Sequence, residues 1–160
     1  MTTPASEVDG TPLRVREAVQ ADLLAVYRIE KASFPQPWPF AAFEQYVGEP
    51  AFLVAEVGPG VAGYVVADSV PNHGRPLGHV KDIAVHPDYR GEGIGSTLLE
   101  RALAKLAARG TASVKLEVRE TNDAARALYE DFGFVHRRTV PRYYDDGDDA
   151  HVMVRSLDGD

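Results

Sequence analysis

The sequence contains no cysteine, which excludes disulfides, cysteine-based zinc sites and a thiol nucleophile. No apolar run approaches the roughly 18 residues of a membrane span, and the first twelve residues lack the basic-then-apolar pattern of a secretion signal. Positive charge is also scarce: 17 Lys and Arg against 24 Asp and Glu give a net charge of −7, which disfavours non-specific binding to nucleic acid. We therefore expect a cytoplasmic protein, monomeric or homodimeric, that binds neither nucleic acid nor a membrane.

The 160 residues, 44% of them hydrophobic, are enough for one domain with its own core. Residues 1–12 are typical of a flexible tail, and we expect the domain to span residues 13–157. The hydrophobic pattern predicts a mixed α/β sheet of about seven strands with four helices on its faces. The strands are expected at 13–18, 51–57, 61–70, 79–85, 114–118, 134–143 and 151–157, and the helices at about 22–34, 39–47, 94–108 and 123–131.

A glycine-rich stretch joins the fourth predicted strand to the third predicted helix. Gly91, Gly93 and Gly95 follow Arg90 at alternate positions, and glycine lets a chain turn tightly and bring its amides against a ligand. The N-terminus of the following helix adds unpaired N–H groups and a positive dipole, so the stretch predicts a phosphate site. A P-loop would need a lysine after its last glycine, and a dinucleotide fingerprint would need a glycine at Leu98, so neither fits.

A second block, LEVRETNDAARALYEDFGF over residues 116–134, carries polar groups that require an explanation. Glu117 lies in an otherwise apolar strand, so its carboxylate must be paired, exposed to a cleft or strongly desolvated. Asn122 is suited to cap the next helix, and Tyr129 is suited either to the core or to an active site. The histidines on strand-like segments, His79, His86 and His151, lack metal-ligand spacing, so no metal site is predicted.

Together, the Arg90 loop and this block resemble the GNAT superfamily of N-acetyltransferases, in particular the RimI-type ribosomal-protein alanine N-acetyltransferases and related protein N-terminal acetyltransferases. The resemblance covers roughly residues 13–157. It implies that predicted strands four and five run parallel and splay apart after a bulge near Val85, with acetyl-CoA inserted between them. It further implies that Glu117 is the general base, Tyr129 the general acid, and Asn122 a contact of the cofactor arm. The remaining cofactor-binding residues that it implies are Ile83, Ala84, Val85, Arg90, Gly91, Glu92, Gly93, Ile94, Gly95 and Ser96.

Intrinsic acidities agree with these implied roles. An α-amine has a pKa of about 8, so roughly a tenth is unprotonated at pH 7, whereas deprotonating a lysine amine costs about 3 kcal/mol more. Tyrosine, with a pKa of about 10, stays protonated and can donate to a departing thiolate. The interpretation requires the two strands to diverge, and it requires the side chains of Glu117 and Tyr129 not to lie on opposite sides of the sheet.

The acceptor is predicted to contact Trp38, Tyr143 and Tyr144, since aromatic walls suit an extended peptide. Trp38 also fits a plug between helices, and the acidic turn at residues 145–149 also fits a solvated hairpin tip. The expected acceptor is a protein or peptide N-terminus, a ribosomal protein being one candidate. A small-molecule amine such as an amino acid, polyamine or aminoglycoside is the alternative, and a non-catalytic acetyl-CoA-binding module is a third interpretation.

Overall fold

The structure is a computed structural model that describes residues 7–158. Eight strands form one mixed sheet in the order β1-β2-β3-β4-β5-β6-β8-β7. The strands are β1 Glu7–Val8, β2 Thr11–Glu17, β3 Phe52–Val57, β4 Gly60–Val70, β5 Leu77–Val85, β6 Ser113–Arg119, β7 Val135–Val140 and β8 Ala150–Ser156. The helices are α1 Leu23–Ser33, α2 Phe40–Glu44, α3 Ile94–Ala108 and α4 Asp123–Asp131, with 3-10 turns at Gln20–Asp22 and Pro87–Tyr89.

The predicted α/β class is confirmed, and the sheet has eight strands where about seven were expected. The additional strand lies in the stretch predicted as a flexible tail, because Glu7–Val8 pairs antiparallel with residues 11–12. Asp9 and Gly10 both have positive φ, 49° and 80°, which is the geometry of a two-residue hairpin turn for which Asp-Gly is favoured. Residues 7–12 of the stretch predicted as a tail thus form a short hairpin, while residues 1–6 lie outside the described part of the chain.

Hydrophobic side chains fill both sides of the sheet. On one side α3 and α4 cover the strands, and the apolar stripe of α3 is buried as its spacing predicts. On the other side α1 and α2 cover β3 and β4 through Phe43, Phe52 and Tyr64, all of which are fully buried. No helix within residues 7–158 is long and apolar enough to cross a membrane.

The helix predictions hold for α1, α3 and α4 to within about one residue, but α2 is shorter than the predicted 39–47. After Glu44 the chain continues in tight turns, with the Tyr46 N–H donating to the Phe43 carbonyl at 3.1 Å. Gly48, with a φ of 99°, then ends the segment. The aromatic residues of this stretch reach the core although only five residues are helical.

The site depends on how β5 and β6 diverge. They pair in parallel at only three positions, the last being His79 opposite Lys115. Beyond that point β6 has no partner on its β5 side, so the predicted splay is confirmed. A bulge accompanies the divergence: Val66 faces Asp82 while Ala67 faces Val80, which leaves Lys81 as the extra residue of β5. The expectation of a bulge near Val85 is therefore wrong, because the ladder between β4 and β5 is regular there.

The last two strands are shorter than predicted, and this changes the setting of the two acceptor tyrosines. β7 ends at Val140 because Pro141 has no N–H to donate to a ladder. Tyr143 and Tyr144 consequently lie in the loop of residues 141–149 and not at a strand end. This loop folds on itself, with Asp149 accepting from the Arg142 N–H at 2.9 Å.

Candidate active site

A cavity of about 620 Å³ opens where β5 and β6 separate. It runs from the glycine loop at the start of α3 to the segment that contains Trp38. Of the residues that the sequence predicted for the site, those that line the cavity are Trp38, Ile83, Ala84, Val85, Arg90, Gly91, Gly93, Ile94, Gly95, Glu117, Asn122, Tyr129 and Tyr144. The splay therefore brings the two sequence motifs to one cavity.

Three predicted site residues do not line the cavity. Glu92 is solvent-exposed in the loop, Ser96 is buried within α3, and Tyr143 is 49% exposed on the loop after β7. The side chains of Glu92 and Ser96 are thus not placed to contact a ligand in the cavity. Their backbone N–H groups still belong to the first turn around α3, where unpaired donors converge.

The edge of β5 that faces the cavity has no neighbouring strand beyond His79, so its backbone groups point toward the cavity. The His86 N–H donates to the Ala62 carbonyl at 2.7 Å, so amides of this parity point toward β4. Because successive residues of a strand point their N–H groups in opposite directions, the amides of Ile83 and Val85 face the open side. An extended arm bearing amide groups can add to this edge as a further strand would.

The glycine loop has the backbone geometry of an anion site. Gly91 and Gly93 have φ values of 83° and 82°, and Gly93 is the N-cap of α3, a helix of 15 residues. A side chain at either position would be strained. The Arg90 guanidinium is directed elsewhere: it donates to the Val85 carbonyl at 3.1 Å and to the Ser33 hydroxyl at 3.0 Å. Arg90 thus joins the end of β5 to the end of α1.

Glu117 lies on the half-exposed face of β6, where its carboxylate contacts His79 and Lys115. Its carboxylate is 2.7 Å from His79 Nε2 and 3.5 Å from Lys115 Nζ. The hydrogen bond from His79, opposed by burial and helped by Lys115, lowers the pKa of Glu117 below its ordinary value. Glu117 is therefore an ionised carboxylate at neutral pH. A second contact, at 3.4 Å, connects His79 Nδ1 to the Lys81 amine.

Tyr129 lies on the other side of β6. Side chains alternate along the strand, and Tyr129 packs in the core that contains Leu116 and Val118, whereas Glu117 points away from that core. The expectation that the two side chains share one side of the sheet is thus wrong. Both still line the cavity, because the missing β5–β6 pairing opens the sheet between them.

The environment of Tyr129 keeps its phenol protonated. Burial raises its pKa above the ordinary tyrosine value. Tyr129 lines the cavity, so its hydroxyl can donate to a ligand there. The T-shaped contact of its ring with Phe134, at 5.9 Å, fixes the ring in the core.

Asn122 performs the capping role that its position predicts. Its side-chain oxygen accepts from the Ala125 N–H at 3.1 Å and so begins α4. The side chain also lines the cavity. Its amide NH₂ group can then donate to a ligand while its oxygen caps the helix, so the two interpretations of Asn122 are compatible.

The end of the cavity opposite the glycine loop is aromatic; we call it the acceptor end and define it by Trp38, Gln36 and Tyr144. Trp38 packs against Phe43 at 5.2 Å between ring centroids, and its half-buried ring also lines the cavity, so it acts as both plug and wall. Tyr144 stacks on the Arg119 guanidinium at 4.1 Å, and burial raises its pKa to about 12.

Comparison with known proteins agrees with this arrangement of strands, loop and cavity. The model of the acetyltransferase (GNAT) family matches residues 23–134. The chain belongs to the GNAT acetyltransferase family. It is 33% identical over 165 residues to an N-alpha-acetyltransferase of Saccharolobus solfataricus, with 96% of this chain and 98% of that protein covered. It is 36% identical over 138 residues to the [ribosomal protein bS18]-alanine N-acetyltransferase of Escherichia coli (strain K12), with 83% and 90% covered.

Solved structures agree. The GNAT fold of this chain superimposes on Ard1 from Thermoplasma volcanium with a TM-score of 0.84 at 30% identity, covering 91% of this chain and 97% of that one. The ribosomal-protein-S18-alanine N-acetyltransferase from Escherichia coli gives a TM-score of 0.80 at 32% identity, with 91% and 94% covered. The protein is therefore an acetyl-CoA-dependent N-acetyltransferase.

The residues of this GNAT site fit acetyl-CoA. The amides of Ile83 and Val85 face the cavity, and the positive-φ glycines Gly91 and Gly93 open the N-terminus of α3 toward it. Within residues 7–158 there is no group of three or more His, Cys, Asp or Glu side chains placed to hold a metal ion.

Sequence reasoning missed two features of the site. His79 was considered only as a metal ligand, although the parallel register places it beside Glu117. Glu30 and Asp82 were not considered, yet Tyr64 connects them at the cavity wall. The sequence signal for Glu30 and Asp82 is that each is an acidic residue within an apolar segment. That signal does not identify the residues that either one contacts.

Proposed function

We propose that this enzyme acetylates the N-terminal α-amine of a protein or peptide by direct transfer from acetyl-CoA in a ternary complex. The observation that carries the proposal is Glu117, which lines the cavity between an anion site at one end and an aromatic opening at the other and whose carboxylate is 2.7 Å from His79 Nε2. The relatives named for N-alpha and ribosomal-protein alanine acetylation support the same acceptor class.

Acetyl-CoA supplies the acetyl thioester and the thiolate leaving group. The backbone amides of Ile83 and Val85 are the groups that would hold its extended arm, and an N–H on this edge would donate to the carbonyl oxygen as negative charge develops there. The first turn of α3 and the glycine loop would hold its phosphates. Asn122 would add a side-chain donor to the arm.

Glu117 and His79 would take the proton from the acceptor amine, either directly or through a water. A carboxylate with a lowered pKa is a weak base by itself, but it orients the imidazole that it contacts. Glu117, held by His79, can therefore accept a proton from the amine as the carbon–nitrogen bond forms.

Tyr129 would donate its proton to the departing thiolate from the other side of the opened sheet. A thiol of ordinary pKa, about 8.5, is a stronger acid than the buried phenol, so the donation assists mainly by hydrogen bonding to the developing charge. The absence of cysteine from the chain agrees with transfer that needs no thiol acyl-enzyme.

The test compares two peptides, each of which carries only one of the two kinds of amine. One has a free N-terminus and no lysine, and the other has a blocked N-terminus and one lysine; a ribosomal-protein N-terminal sequence belongs in the set because a relative is named for one. Release of CoA and the mass of the product are measured with acetyl-CoA in excess. Acetylation of the free N-terminus alone supports the proposal, whereas turnover only with lysine or with a panel of amino acids, polyamines and aminoglycosides overturns it.

A matched pair of variants ties the activity to the cavity. Glu117→Gln removes the carboxylate at the Glu117–His79 pair, and Glu120→Gln makes the same change at a solvent-exposed position just beyond the end of β6. Loss of peptide acetylation in the first and retention in the second assign the reaction to this site. Equal activity of Glu117→Gln across pH would remove Glu117 from the mechanism.

A further inference from the structure

Two neighbouring carboxyl groups, those of Glu30 and Asp82, lie at the cavity wall, and the mechanism above does not use them. Glu30, in the last turns of α1, is 2% exposed, and Asp82 follows the bulge of β5 on the same side of the sheet. The Tyr64 hydroxyl contacts both: it donates to Glu30 Oε1 and lies 3.3 Å from Asp82 Oδ2. A buried carboxylate is tolerated only where several donors satisfy it.

One of the donors to Glu30 is a backbone group of the acceptor end. The Trp38 N–H donates to Glu30 Oε2 at 2.8 Å. The surrounding segment, residues 34–40, has few other backbone donors, since Pro35, Pro37 and Pro39 carry no N–H. Glu30 is therefore a main attachment of this segment to the body of the protein.

We propose that Glu30 is a positioning residue for the acceptor: by accepting from the Trp38 N–H, its carboxyl group holds the Trp38 segment at the acceptor end of the cavity. The proposal rests on the proposed function in one respect: this end of the cavity is assigned to the acceptor because the anion site occupies the opposite end. The Trp38 ring and Gln36 line the acceptor end, so displacement of this segment changes the wall that an incoming peptide meets.

The proton on Asp82 follows from its surroundings. Burial and the adjacent Glu30 carboxyl raise the pKa of Asp82 well above its ordinary value. Protonated Asp82 adds a donor beside Glu30, whereas ionised Asp82 would place two negative charges together. The other titratable groups that face the pair are Tyr64 from β4, Tyr129 from α4 and Lys81 from β5, with Glu117, Arg119 and Tyr144 farther along the cavity.

The sign of the pH effect follows from this arrangement. Because its pKa is raised, Asp82 keeps its proton to a higher pH than an ordinary aspartate does and loses it as pH rises through that pKa. The attachment of the Trp38 segment therefore weakens toward alkaline pH, while the glycine-loop end of the cavity is unaffected. The proposal thus predicts an effect on the acceptor and none on acetyl-CoA.

Trp38 is the only tryptophan of the chain, so its fluorescence reports the segment directly. Emission wavelength and acrylamide quenching are measured for the wild type, Glu30→Gln and Glu30→Ala at pH 7. We expect red-shifted emission and stronger quenching for Glu30→Ala, and a smaller change for Glu30→Gln, whose side-chain oxygen can still accept from the Trp38 N–H. Wild-type emission and quenching in Glu30→Ala would overturn the proposal.

Steady-state kinetics separates positioning from a general loss of structure. For Glu30→Ala we expect the KM for the acceptor peptide to rise about tenfold while the KM for acetyl-CoA stays within about twofold, which is about 1.4 kcal/mol of selective loss. An equal rise in both KM values, or a change in neither, overturns the proposal. Absence of peptide turnover in the wild type would instead overturn the proposed function, and the fluorescence result would still judge the attachment.

Asp82→Asn provides a second test that does not depend on the folding of Glu30→Ala. The wild type should show an alkaline red shift of Trp38 emission and a rise in acceptor KM relative to this variant, because an amide cannot ionise. Parallel pH profiles in the two proteins would show that the proton on Asp82 has no part in holding the segment.

Discussion

The two strands that diverge at the cavity, β5 and β6, each carry a carboxyl group with a shifted pKa. The two pKa values are shifted in opposite directions. Glu117, on β6, meets His79 and Lys115, and its pKa is lowered. Asp82, on β5, meets Glu30 in a buried position, and its pKa is raised. The same chemical group is thus a stable anion on β6, chiefly through the hydrogen bond from His79, and a weaker acid on β5, chiefly through burial and then through the Glu30 carboxyl.

This difference allows two carboxyl groups at one opening in the sheet to have different roles. A permanent anion beside an imidazole suits proton removal from an amine. A neutral carboxyl beside Glu30 suits a structural contact that must not repel its partner. Variants that remove the charge, the partner residue or the proton of one of these carboxyl groups test whether the two have separate roles.

The largest effect is expected for Glu117→Gln. General acid–base catalysis contributes about 10² to 10⁴ in rate, so kcat should fall by about that factor. The dissociation constant of acetyl-CoA should change little, because the glycine loop and the amides of β5 are untouched. Titration calorimetry with acetyl-CoA, alongside the CoA-release assay, checks both halves, and Glu120→Gln is the matched control.

His79→Asn is expected to rank next, with kcat reduced by about tenfold to a hundredfold. Removing the largest cause of the lowered pKa of Glu117 lets that pKa rise, so Glu117 becomes protonated at higher pH than in the wild type. The acid limb of kcat/KM, corrected for the free-amine fraction of the peptide, should therefore move to higher pH. An unmoved acid limb would show that Glu117 does not depend on His79.

Much of this site could be predicted from the sequence, because its parts are local. The helix α3 and the glycines ahead of it follow from spacing and turn chemistry, and α4 begins at Asn122 where a cap was expected. The two motifs together indicated the family, and the family resemblance predicted that the two strands diverge. No local sequence pattern encodes that divergence.

The rest depended on long-range pairing. The bulge at Lys81 places Asp82 on the same side as His79 and Lys81, whereas strand alternation alone would place Asp82 on the opposite side. The side of the sheet occupied by Tyr129 was predicted wrongly because a shared cavity was equated with a shared face. Glu30 and Asp82 are 52 residues apart, and only the folded sheet and α1 bring them together.

Tyr129→Phe tests the side of the opening away from Glu117. Because the thiolate leaves readily, loss of the phenol should reduce kcat by about tenfold, less than either change on the Glu117 side. The KM for acetyl-CoA should remain near the wild-type value, since the ring and its contact with Phe134 are kept. A loss as large as that of Glu117→Gln would mean that thiolate departure, and not amine deprotonation, limits turnover.

The smallest effect is expected for Lys115→Ala. Lys115 lies 3.5 Å from Glu117 and is 38% exposed, so solvent screens much of its charge, and it ranks behind His79 among the causes of the lowered pKa. Its removal should move the acid limb of kcat/KM upward by less than about half a pH unit and change kcat at pH 7 by less than about twofold. The direction must match that of His79→Asn because both residues stabilise the same anion. A shift to lower pH would show that Lys115 acts on the acceptor and not on Glu117, and the contrast between the two arms would then rest on His79 alone.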